Sequence, residues 1–169
     1  IIKRIAQLYR TEKKPELSLD YYKKAAKLTP DNVNTELNIG HCYLEMEDYE
    51  QALNTYFKVE LLYNRGTKAW RPIAWTAFLL KKYEVAQKYY KQILTGKPTI
   101  HDYLNAGHVE LCIGNKKEAI NMYKNILYRE PDFDQFLSLF DADRNTLTDH
   151  GVDKHIFPFL FDQIKYTMD

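Results

Sequence analysis

The sequence has few of the residues that interrupt helices, and it lacks several features that would indicate a particular class of partner. Its 169 residues include only 6 Gly and 6 Pro, so we expect few loops. There is no run of about 18 apolar residues, and the sequence therefore predicts no membrane span. The net charge of +1 argues against a nucleic-acid partner, because domains that bind nucleic acid carry a clear excess of positive charge.

The motifs of common enzyme classes are also missing. There is no P-loop, no G-x-G-x-x-G and no G-x-S-x-G pattern. The stretch Asp141–Asn145 resembles the start of a calcium loop, but Thr146 replaces the required Gly and Val152 replaces the bidentate Glu. His108 and Cys112 have the i, i+4 spacing of two metal ligands on a helix, yet no second pair lies nearby in sequence. We therefore predict no catalysis, no cofactor and no metal site.

The sequence is rich in tyrosine, and much of this tyrosine belongs to an internal repeat. The segment Thr67–Pro98 reads as two amphipathic helices joined by a short polar turn. Key residues of this segment recur 34 positions earlier as Tyr49, Ala52 and Tyr56, and 33 positions later as Ala119, Tyr123, Ile126 and Pro131. A period close to 34, with two helical patterns in each unit, is typical of a helical solenoid. The pattern predicts helices at about 33–46, 49–62, 70–81, 83–95, 100–113 and 116–129.

Small residues recur in the same register. The first helices of the units carry Ala6, Gly40, Ala74 and Gly107, and the second helices carry Ser18, Ala52, Ala86 and Ala119. Only small side chains allow two helices to approach closely, and overpacking such a contact costs about 1–3 kcal/mol. We therefore predict that these eight residues lie buried between paired helices.

On these residues the sequence resembles the tetratricopeptide-repeat family. The family's conserved small, aromatic and proline positions are matched by Ile5, Ala6, Tyr9, Ser18, Tyr22, Ala25 and Pro30; by Ile39, Gly40, Tyr43, Ala52, Tyr56 and Val59; by Trp70, Ile73, Ala74, Ala86, Tyr90, Ile93 and Pro98; and by Tyr103, Ala106, Gly107, Ala119, Tyr123, Ile126 and Pro131. The resemblance covers residues 1–133. It implies an all-α, right-handed α-solenoid of helix-turn-helix repeats at about 1–32, 33–66, 67–99 and 100–133, the first incomplete at its N-terminus.

Residues 134–169 match no repeat. Their pattern predicts a helix to about Asp149 and a last helix capped by Asp153, in which Pro158 causes a kink or shifts the start. We interpret the segment as C-terminal capping helices that cover the apolar end of the stack. The alternative is an apolar patch that binds a partner. The chain starts Ile-Ile-Lys-Arg inside a helical pattern, so we expect a processed or truncated N-terminus, and no compartment is indicated.

In this family the first helix of each repeat lines a concave groove. Carried over by position, the candidate peptide-binding residues are Asn38, His41, Lys68, Arg71, Trp75, Asn105 and His108. Further positions on the same face are Arg10, Asn34, Glu45, Phe78, His101 and Cys112. Asn side chains bond a peptide backbone as donors and acceptors, and Lys or Arg hold carboxylates. The resemblance therefore implies a protein or peptide partner with acidic groups.

Some members of the family hold the C-terminal carboxylate of a chaperone peptide with a set of Lys, Asn and Arg residues. Lys3, Asn38 and Lys68 match that set in position. Gln7 stands where the set has an Asn, and Arg71 lies one position before the expected Arg. Lys3 and Gln7 are accordingly candidate carboxylate contacts, with these departures from the family pattern.

The sequence thus predicts a protein–protein interaction scaffold or adaptor that is not an enzyme. One alternative is a chaperone-type repeat protein in which Trp75 and Phe78 shield an apolar segment of a client. Another is an RNA-binding helical-repeat protein, which has a similar hairpin with a period near 35. The Gly, Ala, Tyr and Pro positions and the net charge favour the peptide-binding family.

Overall fold

The computed structural model describes residues 1–63 and 67–166 of the chain. These residues form ten α-helices and two short 3-10 turns, with no β-strand among them, which confirms the predicted all-α class. The chain divides into two compact units, Ile1–Lys82 and Tyr83–Asp169. None of the described helices has both the length and the apolar composition that a membrane span requires. The predicted repeat boundary at residue 66 lies outside the described residues.

The first unit contains five helices in sequence. They are α1 (Ile2–Thr11), α2 (Pro15–Leu28), α3 (Val33–Glu45), α4 (Tyr49–Leu62) and α5 (Trp70–Leu79). Each helix packs on its neighbour in sequence, so α1 pairs with α2 and α3 pairs with α4. The side chain of Asn32 caps α3 by accepting a hydrogen bond from the Thr35 amide at 3.0 Å. A 3-10 turn, Thr67–Ala69, precedes α5, and Pro72 lies in the first helical turn, where backbone N–H groups lack helical acceptors.

The second unit contains the remaining helices. They are α6 (Tyr83–Leu94), α7 (Ile100–Ile113), α8 (Lys116–Arg129), α9 (Phe133–Asp149) and α10 (Phe157–Lys165). Pro158 is the second residue of α10, so it shifts the start of the helix and does not kink it. Asp153 caps the preceding 3-10 turn by accepting a hydrogen bond from the His155 amide at 2.9 Å. The calcium-loop resemblance of Asp141–Asn145 falls within the continuous helix α9.

The turns that follow α1, α3, α5 and α7 share one backbone conformation, a positive φ at a residue just beyond the end of the helix. These residues are Lys13 (57°), Glu47 (60°), Lys81 (59°) and Gly114 (97°). In the first turn the Lys14 amide donates to the Tyr9 carbonyl at 2.9 Å, and the other three turns repeat this pattern. Such left-handed residues close helices without leaving carbonyl groups unpaired. Three of the four are not glycine, and each carries the steric cost of that conformation.

The predicted small residues are all buried, as expected. Gly40 shows why the size matters, because a Cβ atom there would lie 2.5 Å from Cε1 of the fully buried Tyr56. Gly107 on α7 meets Tyr123 on α8 in the same way, two predicted repeats later. Ser18 adds a polar link, since its hydroxyl donates to the Ala6 carbonyl at 2.7 Å.

The C-terminal helices pack on α7 and α8 through aromatic side chains. Phe140 and Phe157 are fully buried, and the ring of Phe140 lies 5.6 Å from that of Tyr123 and 5.0 Å from that of Phe161. The guanidinium of Arg144 covers the outer side of this cluster, 5.1 Å from the Phe157 ring. The segment therefore buries its own apolar stripe against the last predicted repeat.

Candidate functional site

Three polar side chains of the predicted inner face meet in the first unit, and we refer to them as the Arg10 cluster. Arg10 on α1 donates from Nε to Glu45 Oε1 at 2.6 Å and from Nη1 to Asn38 Oδ1 at 3.0 Å, both on α3. Asn38 in turn donates to the Asn34 carbonyl at 2.7 Å. The Arg10 side chain is about one-third exposed, so its position is fixed by these bonds while it stays accessible to solvent.

His41 lies next to the Arg10 cluster on α3 and is half-buried. Its Nδ1 is hydrogen bonded to the Tyr56 hydroxyl at 2.7 Å, which ties α3 to α4. Burial, together with the nearby Arg10 charge, lowers the pKa of His41 to about 4. The imidazole is therefore neutral at pH 7 and offers hydrogen bonding without charge.

A surface cavity of about 590 Å³ adjoins the Arg10 cluster. It is lined by Arg10 and Glu45 together with Lys13, Pro15 and Glu16 from the first hairpin turn and α2. This volume lies within the range of about 300–1,000 Å³ found for ligand pockets. The cluster thus borders open space large enough for part of a peptide.

The candidate residues near α5 are accessible to different degrees. Lys68 is exposed but lies in the 3-10 turn, before α5 begins. Arg71 is exposed and Trp75 is half-buried, with its ring centroid 5.1 Å from that of Phe78. Phe78 itself is fully buried, so the expectation that it shields a client segment is wrong.

The two candidate carboxylate contacts on α1 do not join the Arg10 cluster. Lys3 is exposed and donates to Asn32 Oδ1, the capping oxygen of α3, at 3.2 Å. Gln7 is exposed on the same helix. Within the described ranges, neither Lys3 nor Gln7 forms a hydrogen bond or ion pair with Arg10, Asn38 or Glu45.

In the second unit the two candidates on α7 differ sharply. Asn105 is half-buried, whereas His108 is fully buried beneath α9. His108 Nδ1 is hydrogen bonded to the Tyr123 hydroxyl at 2.9 Å. The His108 and Phe140 rings pack edge to face, with 5.3 Å between their centroids. The prediction that His108 lines an open groove is therefore wrong, because the C-terminal segment covers it.

His108 also approaches Asp143 of α9, with 3.3 Å between Nε2 and Oδ2. This is ion-pair distance, but the geometry is not that of a hydrogen bond. Burial lowers the pKa of His108 and outweighs the opposing effect of the Asp143 carboxylate. We therefore treat His108 as a neutral core residue. The described residues contain no group of three or more His, Cys, Asp or Glu side chains that could hold a metal ion.

Arg10 and Glu45 were assigned to the inner face from the sequence, but they were not among the candidate binding residues. Their opposite charges, at positions 35 residues apart, could have indicated that they form an ion pair. Residues separated by about one repeat lie side by side on neighbouring first helices, so an ion pair between them was predictable.

Comparison with known proteins supports the repeat assignment. Models of the tetratricopeptide repeat match residues 4–32 and 37–69. A search of curated protein sequences finds no match.

Three solved structures illustrate the likeness in fold. The MamA fragment from residue 41 to the end, from Desulfovibrio magneticus RS-1, is 17% identical over 99% of this chain and 95% of that one, with a TM-score of 0.74. YrrB, described as a TPR protein with an unusual peptide-binding site, is 16% identical over 98% and 90%, with a TM-score of 0.68. TTC0263, a thermophilic TPR protein from Thermus thermophilus, is 17% identical over 83% and 78%, with a TM-score of 0.68.

At these identities the likeness establishes the fold and nothing more specific. The two matched repeats, the recurring small residues and the helical-repeat fold agree with one another. Residues 4–32 and 37–69 are thus matched as tetratricopeptide repeats, and the chain as a whole has the helical-repeat fold of the solved tetratricopeptide-repeat proteins.

Proposed function

We propose that the chain is a protein-interaction scaffold that binds a peptide or partner segment on the exposed face of α1 and α3. A tetratricopeptide-repeat fold supports the general role of protein binding. The observation that carries the specific proposal is the Arg10 cluster, in which two neighbouring first helices hold one guanidinium beside a cavity.

The chemistry of the cluster favours a partner with carboxylate groups. Arginine has five N–H donors, and only two of those on Arg10 are directed at Glu45 and Asn38. The remaining donors can bind a partner's carboxylate, and the fixed position of the guanidinium lowers the entropic cost of doing so. Asn38 and His41 then supply neutral groups for the peptide backbone. Lys3, Gln7, Lys68, Arg71, Trp75 and Asn105 remain candidates for further contacts.

The cluster contributes little to folding, which separates its proposed role from a structural one. Partly exposed ion pairs stabilise proteins by about 0–1 kcal/mol. We therefore expect Arg10→Ala to lower the free energy of unfolding by less than about 1 kcal/mol. The same change should weaken peptide binding about tenfold or more, because a charge-assisted hydrogen bond is lost.

The proposal is tested by fluorescence anisotropy with a labelled acidic pentapeptide that has a free C-terminal carboxylate. Wild type is compared with Arg10→Ala, with the combined Asn38→Ala/Lys68→Ala/Asn105→Ala variant and with Arg129→Ala, a matched exposed arginine on α8. We expect weaker binding in the first two variants only. A C-terminally amidated peptide shows whether the terminal carboxylate itself is recognised.

Unchanged binding in both the Arg10 and the triple variant would place the binding surface elsewhere and overturn the proposal. Binding of single-stranded RNA with a steep salt dependence would instead favour the RNA-binding alternative.

We also propose that α9 and α10 act as the cap of the repeats, since their aromatic side chains are buried on α7 and α8. The absence of enzymatic activity stays a prediction.

A further inference from the structure

A second cavity, of about 360 Å³, lies within the second unit, where α6, α7 and α8 meet. Apolar parts of its wall come from Tyr90, Leu94, Ala106, Val109 and Met122. Its polar wall contains a carboxylate, that of Glu110 on α7. The cavity uses none of the residues assigned to the peptide-binding face.

Glu110 is buried without a counter-charge. The residue is only 6% exposed, although carboxylates are almost never fully buried unless they are paired. Its Oε1 accepts a hydrogen bond from Gln87 Nε2 at 2.7 Å, and its Oε2 accepts one from Asn115 Nδ2 at 2.8 Å. Across the described parts of the chain, no Lys, Arg or His nitrogen lies within 4.0 Å of this carboxylate.

The repeat register shows that this arrangement is particular to the fourth repeat. The equivalent positions in the first three repeats are Tyr9, Tyr43 and Ala77. In the first unit, Tyr43 packs against the core and Lys23 covers its ring, with Nζ 5.4 Å from the centroid. In the fourth repeat a shorter, charged side chain occupies this position and faces the cavity.

We propose that this cavity binds an arginine side chain presented by a partner polypeptide. Each Glu110 oxygen accepts one amide hydrogen and keeps a second acceptor site. A guanidinium binds two carboxylate oxygens at once in a fork geometry that an ammonium cannot match. The apolar stem of the arginine would pack along Leu94, Val109 and Met122, as long cationic side chains do on apolar surfaces.

The charges around the cavity agree with a cationic ligand. Glu118 contributes a second carboxylate to the wall, and Lys91 contributes one exposed ammonium. Lys91 is the register equivalent of Lys23, but it forms no ion pair with Glu110. It is therefore the group whose removal should favour an incoming cation.

The test is a titration of the full ¹⁵N-labelled chain followed by NMR, using N-acetyl-arginine N-methylamide as the probe. We expect saturable shifts of the side-chain amide signals of Gln87 and Asn115. The citrulline analogue has nearly the same shape without the charge, and it should cause no saturable shift. Equal shifts from the arginine and citrulline probes would overturn the proposal. Tighter binding of free arginine than of the blocked probe would also overturn it, because the cavity would then be a site for the amino acid.

Variants locate the interaction. Glu110→Gln should weaken probe binding at least about tenfold, because one partner of a buried charge pair is lost. Lys91→Gln should strengthen it severalfold, and weaker binding in this surface variant would contradict the proposal even if Glu110→Gln proved unstable. Arg10→Ala should bind the probe as wild type does. Failure of the acidic peptide to bind the α1–α3 face would therefore not affect this proposal. Failure of the arginine probe to bind would likewise not affect the proposed peptide-binding function.

Discussion

Replacing Gly40 with alanine tests the packing on which the hairpins depend. A Cβ at this position would lie 2.5 Å from Cε1 of Tyr56, while ordinary contacts begin at 3.4 Å, so the ring would have to move by about 0.9 Å. The ring is fully buried and its hydroxyl is held by His41 at 2.7 Å, which leaves little room for movement. Overpacking of this kind lowers the free energy of unfolding by up to about 3 kcal/mol, and the higher helix propensity of alanine offsets about 1 kcal/mol of this loss.

We therefore expect Gly40→Ala to lower the free energy of unfolding by about 2 kcal/mol, and the melting temperature by about 4–8 °C. Urea denaturation followed by circular dichroism measures the change. Gly96→Ala is the matched control, because its Cβ would meet nothing closer than the Ile93 carbonyl at 3.5 Å. Adding Tyr56→Leu to Gly40→Ala should relieve the clash, so the two changes should be strongly non-additive. A Gly40→Ala variant as stable as wild type would refute the close-packing explanation.

Two further predictions concern other parts of the fold. His41 has a folded-state pKa of about 4 against 6.5 when unfolded, so the unfolded chain takes up a proton first as the pH falls. The contribution of His41 to the free energy of unfolding is therefore complete above about pH 6.5, and roughly 2–3 kcal/mol of it is lost as the pH falls toward 4. Urea titrations at pH 7 and 4.5 measure this loss, which should be smaller in His41→Gln than in wild type. Equal losses in both proteins would contradict the assignment. Phe140→Ala should cost about 3–5 kcal/mol in thermal or urea unfolding, whereas the control Phe159→Ala, with the side chain 63% exposed, should cost less than about 1 kcal/mol. Similar costs for the two would contradict the burial of α9 on the last repeat.

The repeat made α1 to α8 predictable, because each of these helices is marked both by its own periodicity and by a copy 33 or 34 residues away. The pattern predicted helices over 49–62, 100–113 and 116–129, and the structure has these bounds. Proline and capping residues fixed the ends, as Pro15 does at the start of α2 and Asn32 before α3. Helix α5 ended earlier than predicted, at Leu79 instead of residue 81.

The candidate site was less predictable, because its features depend on contacts that the period does not record. His108 occupies a groove position of the family, but the segment that buries it matches no repeat. The burial of His108 could therefore not be predicted from the repeat register. Phe78 was misplaced for a related reason, since position alone does not distinguish a groove-facing ring from a core ring. Arg10 and Asn38 show the opposite case, because neighbouring repeats brought two face residues into hydrogen-bond contact.

The left-handed residues at the hairpin turns offer a route to engineering the chain. Lys13 and Glu47 adopt a conformation that favours glycine, and the matching turn after α7 already has Gly114 there. Exchanging Lys13 and Glu47 for glycine would remove local strain at two separate turns, so the gains should add. Lys13 lines the cavity beside the Arg10 cluster, so Glu47→Gly alone is the exchange that leaves both proposed binding surfaces unaltered. A sturdier variant obtained in this way would allow even disruptive substitutions at those surfaces to be studied in a folded protein.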